Sequence, residues 1–465
     1  MKSKSANSQT FYNFLSTVLR SGITFLTMPI FTRILGADQY GQYAIYASWL
    51  AIIGCFLGLN IKSSLGTGYY HFDKHYREFK SSVLGEGIFI SIIMIVCLFV
   101  LHTPIYNLTG YSIIVLSILL LEAFAQFVLD FANFSWVYEK NAKNNMLMAV
   151  FVLLSGSVLS ILLIYYWPFS QNQLFLGRVI GTTIPQVLLS SIIIYLIFRS
   201  SPVNYNIEYW KYGLLFGLPM VFHLFSQQVL VQSDRVMMRM YKIDGTEIGR
   251  YSFFYSFVAI LTTILGALNN SWCPFLYDDL KSQNYDRLNC RIKNYVQIFT
   301  VLCLGFLLVS REITYVFANN EYWSGLPLIP ILVLVVYVTF IYQFAVNYEI
   351  FNQKPRYVAI GTTIAAIANI LINAILIPIY GMYGAAIATL ASYIILAILH
   401  TILVFSWRDN KYPLSYKWVW IGLCSVLGGC AVYYLMQSMI VARWICGIAL
   451  GIYLITSVYK RKNIF

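Results

Sequence analysis

The chain has 465 residues, of which 59% are hydrophobic and 11% charged, and it carries a formal net charge of +13. Its mean hydropathy is +0.70, whereas average soluble domains are nearly half apolar and about a quarter charged. This composition excludes an ordinary soluble protein. Because the short alternating strands of a membrane β-barrel are missing, the sequence predicts an all-α integral membrane protein.

Apolar runs follow one another along the whole chain. Runs of roughly 20 residues are long enough to cross the hydrocarbon core as helices. The sequence predicts about 14 transmembrane helices, near residues 11–31, 42–60, 83–101, 111–132, 146–166, 174–198, 213–233, 251–272, 294–317, 326–350, 357–377, 384–404, 418–436 and 441–458. These spans leave no room for a soluble domain.

The positive charge is distributed unevenly between the loops. If the N-terminus is cytoplasmic, most of the 31 Lys and Arg residues fall in the inner segments, which is the positive-inside pattern. We therefore expect both termini to be cytoplasmic. Basic loops at 62–82 and 273–293 would carry short surface helices in contact with anionic membrane lipids. The same distribution argues against nucleic acid as a partner.

An internal repeat predicts the domain organisation. "GQYAIYASWLAIIGCFLG" (41–58) aligns without gaps with "GRYSFFYSFVAILTTILG" (249–266), and the shift corresponds to six spans. An even number places both copies in the same direction across the membrane. We therefore predict two six-helix lobes, 1–205 and 206–406, related by a pseudo-two-fold axis around a central cleft. The segment 407–465 adds transmembrane helices 13 and 14.

Three stretches resemble one family of exporters. They are "PIFTRILGADQYGQY" (29–43), "GLPMVFHLFSQQVLVQSDRVMM" (217–238) and "NAILIPIYGMYGAAIATLAS" (373–392). They are similar to the polysaccharide transporters, which include the O-antigen (Wzx-type) flippases, of the multidrug/oligosaccharidyl-lipid/polysaccharide exporter superfamily. The resemblance implies a flippase of the bacterial inner membrane that works by alternating access. Its partners would be an undecaprenyl-diphosphate-linked oligosaccharide and other polysaccharide-assembly proteins.

Span 7 carries two polar stripes. At 100° per residue the first stripe comprises His223, Gln227 and Asp234. The second comprises Gln228, Gln232, Arg235 and Arg239. Polar side chains inside a span rarely face lipid, so these stripes predict a polar wall of the cleft that binds diphosphate or sugar. The alternative is an interfacial helix end with ordinary snorkelling.

Three arginines are further candidates for binding an anion, namely Arg20, Arg33 and Arg178. Arg20 lies in the middle of a span, where insertion costs at least about 2.5 kcal/mol. Arginine forks match phosphate oxygens and remain charged. The alternative for Arg20 is a structural salt bridge to Glu122.

Four groups are candidates for coupling transport to an ion: Glu122, Asp130, His223 and Asp234. Intramembrane carboxyl groups are protonated, paired or part of a proton relay, so structural pairing is the alternative role. We expect a proton or sodium gradient rather than a cofactor. The sequence predicts no metal site and no catalytic residue, and hence not an enzyme.

Two rival functions remain open at this level. One is a cation-coupled multidrug antiporter of the related branch, which would favour an acidic cleft. The other is a membrane-embedded glycan polymerase or ligase, which would carry a long outer loop with catalytic residues. The longest predicted outer segment is 234–250, about 17 residues. That length favours the transporter.

Overall fold

The computed structural model describes residues 6–203, 205–406 and 413–460. Every regular element in these ranges is a helix, which confirms the all-α prediction. Contacts divide the chain into two compact units, Met1–Gly245 and Thr246–Phe465. The predicted third segment is described only from residue 413 to residue 460.

The first unit contains eight α-helices among its described residues. They are α1 (Ala6–Gly54), α2 (Ser64–His71), α3 (Tyr76–Val100), α4 (His102–Thr109), α5 (Ile113–Tyr138), α6 (Ala142–Tyr166), α7 (Leu174–Ser200) and α8 (Ile207–Met240). Helix α8 packs against α1, α2 and α3, and it therefore falls within the first compact unit. Its assignment to a second lobe that starts at residue 206 stays a prediction from the repeat.

The second unit begins as α9 begins. Its helices are α9 (Gly245–Lys281), α10 (Tyr285–Phe317), α11 (Leu328–Phe351), α12 (Pro355–Ser406), α13 (Lys417–Leu435) and α14 (Ile440–Lys460). Helices α13 and α14 both pack on α10. Stacked and edge-on aromatic rings fill the interior between α9, α10 and α11, including Trp272, Tyr295 and Phe344.

Two helices each contain a pair of spans. Within the described ranges, twelve helices are long and apolar enough to cross a membrane, but α12 alone has 52 residues. A straight helix of that length measures about 78 Å, against a hydrocarbon core of about 30 Å. Helix α12 bends at Gly381 (φ 53°) and α1 bends at Gly36 (φ 69°). One extra span in each brings twelve to fourteen, as the sequence predicts.

The bend at Gly381 depends on glycine for two reasons. Its positive φ disfavours other residues, and a Cβ atom there would lie 2.4 Å from Glu247 Oε2. The same Glu247 oxygen accepts a bond from the Met382 N–H (3.3 Å). The "GMYGAA" turn is thus part of the architecture, and Glu247 of α9 holds it.

The predicted surface helices form in only one of the two basic loops. Residues 64–71 form the short helix α2, but no separate helix forms at 273–293, because α9 continues to Lys281 and α10 starts at Tyr285. There the buried carboxylate of Asp279 accepts bonds from Arg287 Nε and Arg291 Nη1, both at 2.6 Å. Those two arginines stabilise the turn between α9 and α10.

Candidate functional site

A strained segment follows α1 in the first unit. Residues Leu57–Ser63 form a 3-10 turn in which Gly58, Leu59 and Asn60 all have positive φ (64°, 43° and 54°). Positive φ is uncommon outside glycine and costs of order 1–3 kcal/mol when the surroundings impose it. Such strain persists only where neighbouring groups fix the backbone, and this segment has those neighbours.

Close glycine contacts hold the 57–63 segment between α5 and α8. A Cβ atom on Gly58 would lie 2.1 Å from the Phe127 ring, and one on Gly217 would lie 2.5 Å from Leu59 O. Ser63 Oγ also donates to Phe216 O of α8 (3.1 Å). The segment is therefore fixed, and it positions the side chains of Asn60 and Lys62.

Replacing Gly58 by alanine should destabilise the protein by at least about 2 kcal/mol, since a left-handed alanine and an overpacked ring each cost at least about 1 kcal/mol. Gly22→Ala is the matched control, because a Cβ there meets nothing within 4 Å. In mid-helix that change should be neutral or slightly stabilising. Thermal unfolding of the detergent-purified variants measures both effects. Equal midpoints for the two variants would contradict this account of the segment.

A polar cavity of about 240 Å³ opens beside the segment. Its polar lining comprises Asn60, Lys62, Gln126, Asp130 and Gln228, and Cys55 and Phe127 also border it. Ammonium, carboxylate and amide groups thus line one cavity.

Lys62 is the cation of this cavity. Its ammonium donates to the carboxylate of Asp130, and it lies 5.5 Å from the centroid of the Phe134 ring. The Lys62 side chain is only 19% exposed, whereas that of Asp130 is 54% exposed. Asp130 is therefore the partner that loses fewer packing contacts when the ion pair separates.

A second cavity, of about 320 Å³, shares Gln126 and Asp130 with the first. Its other polar lining residues are Arg20, Thr24, Asn133 and Gln186. Asp130 therefore lies between Lys62 in one cavity and Arg20 in the other. Arg20, predicted as an anion-binding residue, thus lines the same cavity as an acidic group on α5.

Glu122 is buried among three hydrogen-bond partners. It is 3% exposed. Its Oε2 accepts bonds from Tyr46 Oη (2.8 Å) and Thr183 Oγ1 (3.0 Å), and its Oε1 accepts one from Gln186 Nε2 (2.9 Å). Phenol, hydroxyl and amide partners occupy the carboxyl group. The predicted alternative, a salt bridge from Arg20, is therefore not the arrangement that holds Glu122.

The surroundings of Glu122 can satisfy both of its protonation states. Thr183 has one hydroxyl proton but lies within bonding distance of both Glu122 Oε2 and Val179 O (2.8 Å). When that proton goes to Glu122, an ionised carboxylate has three donors. When it goes to Val179, a neutral Glu122 can donate its own proton to Thr183. A group with this freedom suits proton exchange.

The second stripe of α8 has a mixed environment. Gln228 borders the first cavity, but Gln232 Oε1 accepts bonds from Ser48 Oγ (3.1 Å) and Arg235 Nη1 (3.2 Å). Arg235 is buried and also donates to Val231 O (3.1 Å). Its guanidinium is thus held against its own helix, and anion binding by Arg235 stays a prediction.

The first stripe of α8 is also divided. Gln227 is exposed and Asp234 is fully buried. His223 Nδ1 is buried without a hydrogen-bond partner in the part of the chain that the structure describes. The roles predicted for these three residues stay predictions.

Arg239 lies apart from the other candidates on α8. It lines a cavity of about 640 Å³ at the end of that helix, together with Asp38, Asn107, Lys242 and Asp244. These side chains could bind polar groups, but they are not among the residues that line the cavity at Lys62.

Arg33 and Arg178 lie elsewhere in the first unit. Arg33 is exposed on α1. The guanidinium carbon of Arg178 is 3.3 Å from the centroid of the Phe31 ring and 4.9 Å from that of Tyr43. This is a cation–π arrangement. Neither residue lines the two cavities that share Asp130.

The sequence is similar to that of known proteins of polysaccharide biosynthesis. The family profile described as "Polysaccharide biosynthesis protein" matches residues 7–278. "Lsg locus putative protein 1" of Haemophilus influenzae is 24% identical over 276 residues, 56% of this chain and 63% of that protein, so the match spans less than two thirds of that relative. "Probable low-salt glycan biosynthesis flippase Agl15" of Haloferax volcanii is 20% identical over 426 residues, 89% of this chain and 85% of that protein.

Two solved structures share the fold. "Lipid II flippase MurJ, inward closed conformation" superposes with a TM-score of 0.71 at 16% identity, over 99% of this chain and 100% of that chain. An inward-facing multidrug resistance transporter of the MATE family, of the MOP superfamily, superposes with a TM-score of 0.60 at 15% identity, over 90% of this chain and 96% of that chain. At these identities the likeness concerns architecture alone.

Proposed function

The chain belongs to the polysaccharide biosynthesis protein family, within the polysaccharide transporters of the MOP superfamily, and on that premise we propose that it flips a lipid-linked oligosaccharide between membrane leaflets. The substrate would be an undecaprenyl-diphosphate-linked repeat unit of a surface polysaccharide, such as O-antigen. It would move from the cytoplasmic to the periplasmic leaflet. The protein would act as a transporter and not as an enzyme.

The observation that carries this proposal is the pair of cavities around Asp130. Lys62 and Arg20 offer two cations to a diphosphate, and a charged hydrogen bond is about twice as strong as a neutral one. Amide groups of Asn60, Gln126 and Gln228 can bind sugar hydroxyls through both donor and acceptor atoms. The substrate would therefore find both kinds of partner in one place.

Asp130 would bind Lys62 in place of the substrate anion when no substrate is bound. In the empty protein its carboxylate neutralises Lys62, which lowers the cost of keeping a largely buried ammonium away from water. A diphosphate would displace Asp130 and take its place on Lys62. Release on the other side would restore the ion pair, so each transport cycle would begin and end with a neutralised cavity.

The two cations disfavour the rival export of cationic drugs. A positively charged compound would have to enter beside the Lys62 ammonium and the Arg20 guanidinium, while the carboxylate of Asp130 is already paired. Like charges in a medium of low dielectric constant repel strongly. A phosphate-bearing substrate fits this arrangement better.

Glu122 is the group we propose for proton coupling. Its three partners satisfy either protonation state, and it shares Gln186 with the lining of the second cavity. Binding of substrate near Gln186 would thus change the donors available to Glu122. No cofactor would be needed, since the gradient supplies the driving force.

We propose the inner membrane as the location, with both termini in the cytoplasm. Single cysteines at Lys140 and Asn107, which are both exposed, test this orientation in a cysteine-free background. An impermeant thiol reagent applied to intact cells with a permeable outer membrane should label position 107 and spare position 140. The reverse pattern would overturn the orientation.

Gene deletion tests the proposed function in the cell. Loss of the flippase should cause a diphosphate-linked oligosaccharide to accumulate on the cytoplasmic face, and a plasmid copy should clear it. Mass spectrometry of the extracted lipids would also identify the sugars. An unchanged lipid-linked pool together with normal surface polysaccharide would contradict the proposal.

A further inference from the structure

A buried carboxyl group on α3 has no hydrogen-bond partner in the described part of the chain. Glu86 is 1% exposed, and neither Oε1 nor Oε2 has a hydrogen-bond partner among the residues that the structure describes. None of the ion pairs found in those residues includes it. An isolated buried carboxylate is far costlier than a neutral carboxylic acid, so the packing around Glu86 requires the neutral form.

A glycine on α8 leaves space for the carboxyl group of Glu86. A Cβ atom on Gly213 would lie 2.6 Å from Glu86 Oε2 and 3.6 Å from Val83 Cγ1. The carboxyl group therefore occupies the space that any other residue at position 213 would fill. The close packing of α3 on α8 includes the Glu86 carboxyl itself.

Residues next to Glu86 on α3 and close to Gly213 on α8 also contact the 57–63 segment. A Cβ atom on Gly87, the residue after Glu86, would lie 2.5 Å from Ile61 Cδ1. One turn after Gly213, a Cβ atom on Gly217 would lie 2.5 Å from Leu59 O. Glu86 thus lies where α3 and α8 jointly hold the segment that carries Lys62.

The charged and titratable groups of the surrounding elements contact other residues or are exposed, as Glu208 and Lys211 of α8 are. On α3, Lys80 binds Glu139, the residue after α5 (2.5 Å), and Lys62 of the segment binds Asp130 of α5. On α8, Tyr209 packs on Phe79, with ring centroids 5.5 Å apart. On α2, His71 stacks on Tyr212, and Arg199 at the end of α7 is exposed.

We propose that Glu86 is a proton-binding site whose occupancy locks α3 and α8 around the 57–63 segment. The packed arrangement requires the bound proton. Loss of the proton creates a charge that must reach water, so α3 and α8 separate locally and the segment is released. The packed state binds the proton more tightly than the open state, in which Glu86 has an ordinary carboxyl pKa, so the packed state loses stability relative to the open state as pH rises above that ordinary value. Glu86 would thus control access to the Lys62 cavity.

The native Cys55 reports this change, because it borders that cavity two residues before the segment. Purified protein would be treated with a thiol reagent at a series of pH values between about pH 6 and pH 9. Mass spectrometry then measures labelling of the Cys55 peptide. The parent is compared with Glu86→Gln, which is permanently neutral, because the pH effect on the thiol cancels in the ratio of the two rates.

The parent-to-variant ratio should rise with pH, by up to about tenfold per pH unit for a single proton. Gly213→Ala removes the space for the carboxyl group and should give fast labelling at every pH, so it also serves if Glu86→Gln fails to insert. A constant ratio, or Gly213→Ala labelling equal to the parent at each pH, would overturn the proposal. The measurement uses no substrate, so its outcome is independent of the proposed flippase function.

Discussion

Replacing Lys62 by alanine is expected to reduce glycan export by at least about tenfold while the protein still inserts. The variant loses a charge-assisted bond, which contributes about 1.5–3 kcal/mol, and it leaves Asp130 unpaired. Lys62→Arg keeps the charge but changes its geometry, so we expect partial function. Surface polysaccharide in a deletion host that expresses each variant at matched levels measures the effect.

Two controls separate binding from structure in this experiment. Lys140→Ala removes an exposed lysine of the loop between α5 and α6 and should have no effect. Asp130→Asn breaks the same ion pair but leaves the cation, and it should therefore retain more export than Lys62→Ala. Equal losses in the Lys62 and Asp130 variants would mean that only their ion pair matters, and the anion-binding role of Lys62 would be wrong.

Replacing Glu122 by glutamine is expected to abolish acceleration by a proton gradient while transport down a substrate gradient continues. The amide keeps the shape of the side chain but cannot release a proton. Reconstituted vesicles with and without an imposed pH difference measure the response. Glu78→Gln, at an exposed position of α3, is the matched control and should respond as the parent does.

Variants of His223 and Asp234, the candidate coupling groups on α8, test the alternative assignment. If Glu122 couples transport, His223→Gln and Asp234→Asn should keep the gradient response, even where lost contacts lower the basal rate. A response that survives in Glu122→Gln but disappears in one of those variants would move the coupling to α8.

The number of spans was accessible from sequence because hydropathy and helix length are local properties. The "GMYGAA" turn was also predictable, since glycine marks positive φ. Gly36 was not singled out, because a lone glycine near an interfacial "ADQY" stretch does not differ from an ordinary loop. The left-handed turn at Leu59 and Asn60 depends on Phe127 and Gly217, which are distant in sequence.

The candidate site was only partly predictable from the sequence, because its contacts also join residues that are distant along the chain. Intramembrane charge identified Arg20, Glu122 and Asp130, and the structure places Arg20 and Asp130 in one cavity. The sequence indicates at position 62 only one of many basic loop residues, because the predicted span ends before it and its pairing with Asp130 is tertiary. Arg178 lies on aromatic rings that no local pattern connects with it.

Flipping of a fluorescent polyprenyl-diphosphate oligosaccharide in vesicles tests the central claim most directly. The purified protein should accelerate transfer between leaflets relative to protein-free vesicles, and Lys62→Ala should remove most of that acceleration. The same lipid without its diphosphate should not be transferred faster. Transfer of the diphosphate lipid at the protein-free rate, or equal transfer with and without the diphosphate, would contradict a flippase that binds its substrate through Lys62 and Arg20.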